Sequence, residues 1–181
     1  MKIGDIYYCN WADCPNGEYW NFSFFLTDTV EHCDKIYYAS TSVANFFQFP
    51  IRAENGKYYL HLNGCNEVLW YDFTLGKGDM FHLPDFTSSW FFDTLIVTDV
   101  GEFTLENGEK RKQLTLKPPG GSSEFIWVDG IGDIRNGFFR QQDFEGGREV
   151  LVCVKDDTGI LYQNPNNPEN CDQILCPKPI A

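Results

Sequence analysis

Five Asn-Gly dipeptides constrain the fold of this chain more than any other feature of its sequence. Asn-Gly readily adopts the positive φ angles of a type I′ turn, and the twist of that turn matches a pair of antiparallel strands. Two of the dipeptides, Asn55-Gly56 and Asn107-Gly108, each separate two strand-like segments and therefore predict antiparallel hairpins. The predicted strands of these two hairpins are Phe47–Arg52 with Lys57–Leu62, and Gly101–Leu105 with Arg111–Leu116.

Alternation of side chains along the chain is the second sign of strands. In Val68–Leu75, Leu69 and Tyr71 share one face of a strand, whereas Trp70 and Asp72 share the other. No segment shows a sustained period of 3.6 residues. This pattern predicts an all-β protein with little helix, either an antiparallel barrel-like fold or a strongly curled β-sandwich. Further strands are predicted at Tyr19–Leu26, Lys35–Tyr38, Thr94–Val100, Glu124–Asp129, Glu149–Lys155 and Gly159–Tyr162, and short helical turns at Thr41–Phe47 and Asp133–Phe138.

The length of 181 residues suits one domain with a real core. We place a single antiparallel β domain at residues 1–162. Residues 163–181 are rich in Asn and Pro, and proline is not tolerated in a central strand. We therefore interpret this segment as a tail that packs on the domain or is tethered to it.

The net charge of −12 restricts the partners of this acidic protein. A field of that sign repels phosphate backbones, so nucleic acid is excluded as a partner. No apolar run is long enough to span a bilayer as a helix, and we predict no membrane insertion. The sequence does not indicate an oligomeric state.

Seven cysteines are many for a cytosolic domain of this size, and several are expected to pair in an oxidising compartment. The pairs Cys9–Cys14 and Cys171–Cys176 have the same spacing and offer four thiolates for zinc, although disulfides are favoured over a metal site. Cys153 is a candidate to tie down the tail through Cys171. Met1–Asp5 does not form an export signal, so the chain is either cytoplasmic or a secreted protein shown without its signal. The number of cysteines favours the second interpretation, a secreted or cell-surface location.

Aromatic residues form 17% of the chain, more than one small core is expected to hold. Rings that remain near the surface can stack on a ligand and keep their polar groups in water. The candidate binding residues are Tyr59, Trp70, Trp90 and Trp127. A glycan or an apolar small molecule would suit such a surface.

Four aspartates at strand ends, Asp72, Asp79, Asp129 and Asp133, allow two interpretations. In the first, two of them are paired across a cleft for acid–base catalysis, as in glycoside hydrolysis. The favoured interpretation is structural, because aspartate beside glycine usually accepts hydrogen bonds from the backbone of its own turn. Asp72 lies inside a predicted strand, and we expect Arg52 to be its partner.

The segment Asp129–Gly137 is best interpreted as a turn in which Gly130 and Gly132 supply unusual φ angles. It lacks the regular ligand positions of a calcium-binding EF-hand loop and the lysine of a phosphate-binding loop. We therefore expect no bound metal and no cofactor. Incidental calcium binding is the less favoured alternative.

Taken in order along the chain, several of these motifs resemble a family of uncharacterised β-rich bacterial secreted proteins, many of them cargo of the type IX secretion system. The family has Glu at the position of Asp129 and Ser at that of Asp133, and its C-terminal sorting domain is not among the 181 residues. The resemblance implies an exported β-rich domain and no particular activity. The motifs that carry it are Arg52–Lys57, Leu69–Phe73 with Gly78-Asp79, Trp127–Gly132 with Gly137–Phe139, and Leu151–Cys153.

The function that we predict is an exported, non-catalytic domain that binds a ligand or glycan through an aromatic-lined surface. The alternative is a carboxylate-dependent glycan hydrolase. A third possibility is a structural module of a surface protein.

Overall fold

The computed structural model describes the main chain of residues 6–13, 19–42, 49–84, 93–135 and 149–166. Within these ranges it describes the side chains of residues 26, 28–39, 49–84, 93–135 and 151–166. The described residues form strands, turns and bends but no helix, which confirms the all-β prediction. The strands are β1 Ile6–Asp13, β2 Tyr19–His32, β3 Lys35–Ser42, β4 Ile51–Glu54, β5 Lys57–Asn63, β6 Asn66–Asp72, β7 Met80–His82, β8 Thr94–Thr104, β9 Lys110–Lys117, β10 Phe125–Val128, β11 Gly132–Asp133, β12 Glu149–Asp156 and β13 Gly159–Gln163.

Two antiparallel sheets contain all of these strands. The large sheet has the order β13-β12-β1-β2-β3-β4-β5-β6 and curls into a half-barrel. The small sheet has the order β11-β10-β9-β8-β7. Strands that follow each other in the chain are mostly neighbours in a sheet, as hairpins require. The exception in the large sheet is the pairing of β1 with β12, which joins an early strand of the chain to a late one.

The core lies between the two sheets and is rich in aromatic rings. Strands β5 and β6 contribute Tyr58, Leu60 and Tyr71, while β9 and β10 contribute Leu116 and Trp127. Tyr71 and Trp127 meet edge to face with their ring centroids 4.9 Å apart. The high aromatic content of the sequence is therefore used largely for packing one sheet on the other.

The turns follow the predicted chemistry only in part. Asn55 and Gly56 both have positive φ angles, 51° and 75°, as a type I′ turn requires. At Asn107-Gly108 only Gly108 has a positive φ, because the turn is longer and closes through a hydrogen bond from Gly108 N–H to the Leu105 carbonyl. A further turn, which the sequence did not predict, lies at Cys33 and Asp34, whose φ angles are 51° and 58°.

Both predicted helical turns begin in strand, and no helix forms within the described residues. Thr41 and Ser42 belong to strand β3, and Asp133 belongs to strand β11. Pairing with β2 and β10 supplies these residues with backbone hydrogen bonds, which outweighs their weak local preference. The remaining positions of both predicted turns, apart from Ile134 and Arg135, lie outside the described residues, as does most of the predicted tail.

Candidate binding surface

Two of the four rings predicted to bind a ligand lie in the core. Trp70 is 2% exposed and Trp127 is 0% exposed. Trp127 packs edge-on against Phe81 with a centroid distance of 5.0 Å, in addition to its contact with Tyr71. Sequence alternation placed Trp70 on the face opposite Tyr71, yet both residues are buried, so neither indole forms an exposed platform. Trp90 lies outside the described residues.

The remaining ring, Tyr59, is half-buried on the outer face of the large sheet. Strand β5 directs Tyr58 and Leu60 toward the core, so Tyr59 points to the opposite side. Register brings Arg52 of β4 opposite Tyr59, and Glu67 of β6 opposite His61. The outer-face cluster, as we name it, consists of Lys35, Tyr37, Arg52, Glu54, Tyr59, His61 and Glu67.

Glu67 is the centre of the outer-face cluster. Its Oε1 accepts hydrogen bonds from Lys35 Nζ at 3.0 Å and from Arg52 Nη2 at 2.7 Å. Its Oε2 accepts one from the Tyr37 hydroxyl at 2.7 Å. Burial disfavours ionisation of Glu67, but the hydrogen bonds from Arg52, Tyr37 and Lys35 outweigh it and lower the pKa of Glu67 to about 2. Glu67 is therefore a firmly ionised carboxylate.

Arg52 connects Glu67 to the aromatic part of the cluster. Its Nη1 donates to Glu54 Oε2 at 2.6 Å, and its guanidinium carbon lies 4.4 Å from the centre of the Tyr59 ring. Burial opposes the charge of Arg52, but its bonds to Glu67 and Glu54 raise its pKa above the ordinary value. Two carboxylates and one ring thus hold the guanidinium in place.

A stacked pair of histidines borders the cluster. The rings of His32 and His61 are 4.2 Å apart and nearly parallel, with an interplanar angle of 8°. His61 Nε2 donates to the Gly64 carbonyl at 2.8 Å, because a carbonyl oxygen can only accept. Burial, followed by the hydrogen bond to Glu67, raises the pKa of Tyr37, whose ring meets His61 edge to face at 5.3 Å. His61 therefore packs across strands, against His32 and Tyr37.

Asp72 has a different partner from the one expected. Lys57 Nζ lies 3.1 Å from its Oδ2, and the backbone N–H of Thr74 donates to its Oδ1 at 2.9 Å. Arg52 instead bonds Glu67 and Glu54, so the predicted Arg52–Asp72 pair is wrong. Register explains the difference, because Lys57 lies directly opposite Asp72 whereas Arg52 lies opposite Tyr59. Burial opposes ionisation of Asp72, but its bonds to Thr74 and Lys57 lower its pKa.

Asp79 and Asp133 bond to the local backbone, whereas Asp129 bonds to a tyrosine of the other sheet. Asp79 accepts from the Gly76 N–H at 2.9 Å, and Asp133 accepts from the Arg135 N–H at 2.9 Å. Asp129 accepts from the Tyr58 hydroxyl at 2.6 Å. These bonds are those of scaffolding aspartates, the interpretation that the sequence favoured. A general acid needs a raised pKa, whereas the pKa values of Glu67 and Asp72 are lowered.

The glycines after β10 have the turn role predicted for them. Gly130 and Gly132 have φ angles of 80° and 94°, which side-chain-bearing residues rarely adopt. The Ile131 N–H closes the turn onto the Val128 carbonyl at 2.9 Å. The turn returns the chain so that Asp133 is fully buried, where its backbone N–H donates to the Tyr71 hydroxyl at 3.1 Å. Burial, followed by the charge of Asp133, raises the pKa of Tyr162 to about 12.

Disulfides, as predicted for several of the cysteines, occur in the described part of the chain. Cys33 and Cys65 form one, with their Cα atoms 5.7 Å apart, and it joins the β2–β3 turn to the β5–β6 turn. Cys153 is also disulfide-bonded. The sequence did not predict the pairing of Cys33 with Cys65. Cys171, expected opposite Cys153, lies outside the described residues, as do Cys14 and Cys176.

Sequence reasoning missed Glu67, Tyr37 and Lys35 as members of one site. Alternation alone would place Glu67 on the same face of β6 as the core residue Tyr71, and only the register shift opposite Tyr58 and Tyr59 separates the two. The convergence of the three site residues depends on the order β3-β4-β5-β6 in the large sheet, which places Lys35 and Tyr37 of β3 on the same face as Glu67 of β6.

No group of three or more metal-binding side chains occurs among the residues that the structure describes. In the same ranges no helix is long and apolar enough to cross a membrane. Comparison with protein-family models, curated proteins and solved structures finds no match to this chain.

Proposed function

We propose that this chain is an exported, non-catalytic binding domain that recognises a neutral glycan through the outer-face cluster. The observation that carries the proposal is the half-buried Tyr59 ring, which lies beside Arg52, Glu67 and Glu54 on a sheet face outside the core. A ring of this kind can stack on the C–H face of a sugar. Carboxylates and a guanidinium beside it can accept and donate hydrogen bonds to sugar hydroxyls.

The charges of the surface support a neutral ligand. Lys35 and Arg52 are matched by Glu54 and Glu67, so the cluster carries little net charge although the chain as a whole carries −12. A neutral ligand escapes the repulsion that this field exerts on anions. The core rings pack against each other and do not line an apolar pocket among the described residues, which supports a glycan over an apolar small molecule.

The cysteines support export. A surface disulfide between Cys33 and Cys65 and a second one at Cys153 are typical of proteins from oxidising compartments. The resemblance to secreted bacterial β-rich proteins agrees with this part of the proposal.

The proposal is tested by titrating neutral oligosaccharides of varied linkage into the oxidised protein and measuring binding by calorimetry. We expect at least one to bind, and Tyr59→Ala to weaken it about tenfold or more, since a stacking ring contributes on the order of 1–3 kcal/mol. Val100→Ala, which removes an exposed apolar side chain on the small sheet, is the matched control and should bind like the wild type.

Two results would contradict the proposal: no binding across the panel at millimolar concentration, or unchanged affinity in the folded Tyr59→Ala variant. Chromatography of the recovered oligosaccharides tests the non-catalytic part. Intact sugars are expected after incubation, and cleavage products would favour a hydrolase.

A further inference from the structure

The Cys33–Cys65 disulfide lies at the surface, where the tips of two hairpins meet. Both cysteines are exposed, Cys33 in the turn between β2 and β3 and Cys65 in the turn between β5 and β6. Cys33 and Asp34 both adopt left-handed φ angles, which are unfavourable for residues with side chains. The disulfide therefore holds a turn that local sequence alone would not favour.

The strands beside this disulfide are weakly joined through the main chain. Within the described residues, β2 and β3 pair at eight positions and β4 and β5 at four, whereas β3 and β4 pair only at Tyr38 and Ile51. The outer half of the β2–β3 hairpin is consequently held to β4–β6 by side chains. These contacts are the bonds of Lys35 and Tyr37 to Glu67, the stacking of His32 on His61, and the Cys33–Cys65 bond.

Cys153 provides an internal comparison. It is also disulfide-bonded, but it lies in the middle of β12 and is 0% exposed. A thiolate must reach a sulfur atom along the axis of the S–S bond before exchange can occur, so access separates labile disulfides from inert ones. The same molecule therefore holds one disulfide in which both cysteines are exposed and a second in which Cys153 is fully buried.

We propose that Cys33–Cys65 is a thiol–disulfide exchange site for dithiols, and that its reduction opens the seam between β3 and β4. The proposal concerns redox chemistry and does not depend on glycan binding. A dithiol thiolate attacks one sulfur, forms a mixed disulfide and releases the other cysteine as a thiolate that takes up a proton. The second thiol of the reagent then displaces the attached cysteine. The protein disulfide gains two electrons and two protons, and the dithiol leaves as a cyclic disulfide.

The exchange is tested on the folded, oxidised protein with graded dithiothreitol, followed by rapid alkylation and peptide mass spectrometry. We expect Cys33 and Cys65 to become alkylated together, about tenfold or more faster than Cys153. Equal rates, or earlier alkylation of Cys153, would overturn the assignment of the exchange site.

The opening of the seam is tested by hydrogen exchange on the partially reduced wild type and on the double variant Cys33→Ser/Cys65→Ser. We expect amides of residues 29–38 and 63–67 to exchange about tenfold or more faster in both samples, since local opening governs their protection. Amides of β8–β10 are the internal reference and should keep their rates. Unchanged rates at the two hairpin tips in the reduced wild type would overturn the structural part, even if the variant failed to fold.

Discussion

The Tyr58 hydroxyl donates a hydrogen bond to Asp129 Oδ1 at 2.6 Å and thereby joins the two sheets. Tyr58 belongs to β5 of the large sheet and is 3% exposed, whereas Asp129 follows β10 of the small sheet. The bond spans 71 positions of sequence. Since the acceptor is a carboxylate in a partly buried setting, this contact is stronger than a bond between neutral groups.

Replacing Tyr58 by Phe is expected to lower the free energy of unfolding by about 1.5–3 kcal/mol, because a buried hydrogen bond to a charged group is lost while the ring remains. Chemical denaturation measures the change. Tyr59→Phe is the matched control. The hydroxyl of Tyr59 has no hydrogen-bond partner within the described residues, so the free energy of unfolding should change by less than about 0.5 kcal/mol. Equal losses in the two variants would contradict a specific role for the Tyr58–Asp129 bond.

Replacing Glu67 by Gln is expected to destabilise the fold by about 2–3 kcal/mol, since Arg52, Lys35 and Tyr37 lose their shared carboxylate. The Glu67 side chain is only 16% exposed, which limits the solvent that could replace it. Glu54→Gln removes the other carboxylate on Arg52, but Glu54 is 59% exposed and its loss should cost less than about 1 kcal/mol. A larger loss of stability in Glu54→Gln than in Glu67→Gln would contradict the expectation that Glu67 is the more important partner of Arg52.

The stability contribution of Glu67 is expected to depend on pH in a defined direction. Its pKa falls from the ordinary 4.5 to about 2 in the folded protein, so folding favours the ionised form. The contribution is complete above pH 4.5 and is lost as the pH falls through about 2. The stability difference between the wild type and Glu67→Gln, measured by urea denaturation from pH 7 to pH 2, should therefore shrink below pH 4.5. A constant difference over this range would contradict the lowered pKa.

Replacing Lys112 by Met is expected to lower stability by about 1–3 kcal/mol, because two backbone carbonyls lose a charged donor. Lys112 Nζ donates to Phe73 O at 2.6 Å and to Leu75 O at 2.8 Å, where the chain leaves β6. Lys110→Met on the same strand removes only an exposed pair with Glu102 and should change stability by less than about 1 kcal/mol. Thermal unfolding distinguishes the two, and equal shifts in melting temperature would show that the Lys112 contacts contribute little.

Local sequence patterns predicted most of the strands, because alternation and turn residues can be recognised in short segments. The Asn55-Gly56 turn lies where expected, whereas the strand predicted at Val68–Leu75 is observed at Asn66–Asp72, and strands β1 and β7 were not predicted. The turn at Cys33 and Asp34 was missed, because aspartate tolerates positive φ but cysteine does not signal it, and a distant cysteine helps to hold the turn. The helical turn predicted at Thr41–Phe47 was wrong for Thr41 and Ser42, since pairing with β2 extends strand β3 through Ser42.

The candidate site was less predictable than the fold. The sequence selected Trp70 and Trp127 by residue type, but type does not separate a ring in the core from a ring on a surface. Arg52 was correctly marked as a structural residue, yet its partners are Glu67 and Glu54 rather than Asp72. A side chain's partner across a sheet depends on register, and a shift of one residue moves it to the other face.

By itself, the sequence determined the class of this protein: two-residue alternation and Asn-Gly corners are local properties that commit the backbone to antiparallel sheet. Only the tertiary structure decided which side chains meet. The cluster around Glu67, the Tyr58–Asp129 bond and the Cys33–Cys65 link each join segments that are 15 to 71 positions apart. Such contacts arise from the order and register of strands, which are set by how two sheets bury their aromatic faces together and not by any short stretch of residues.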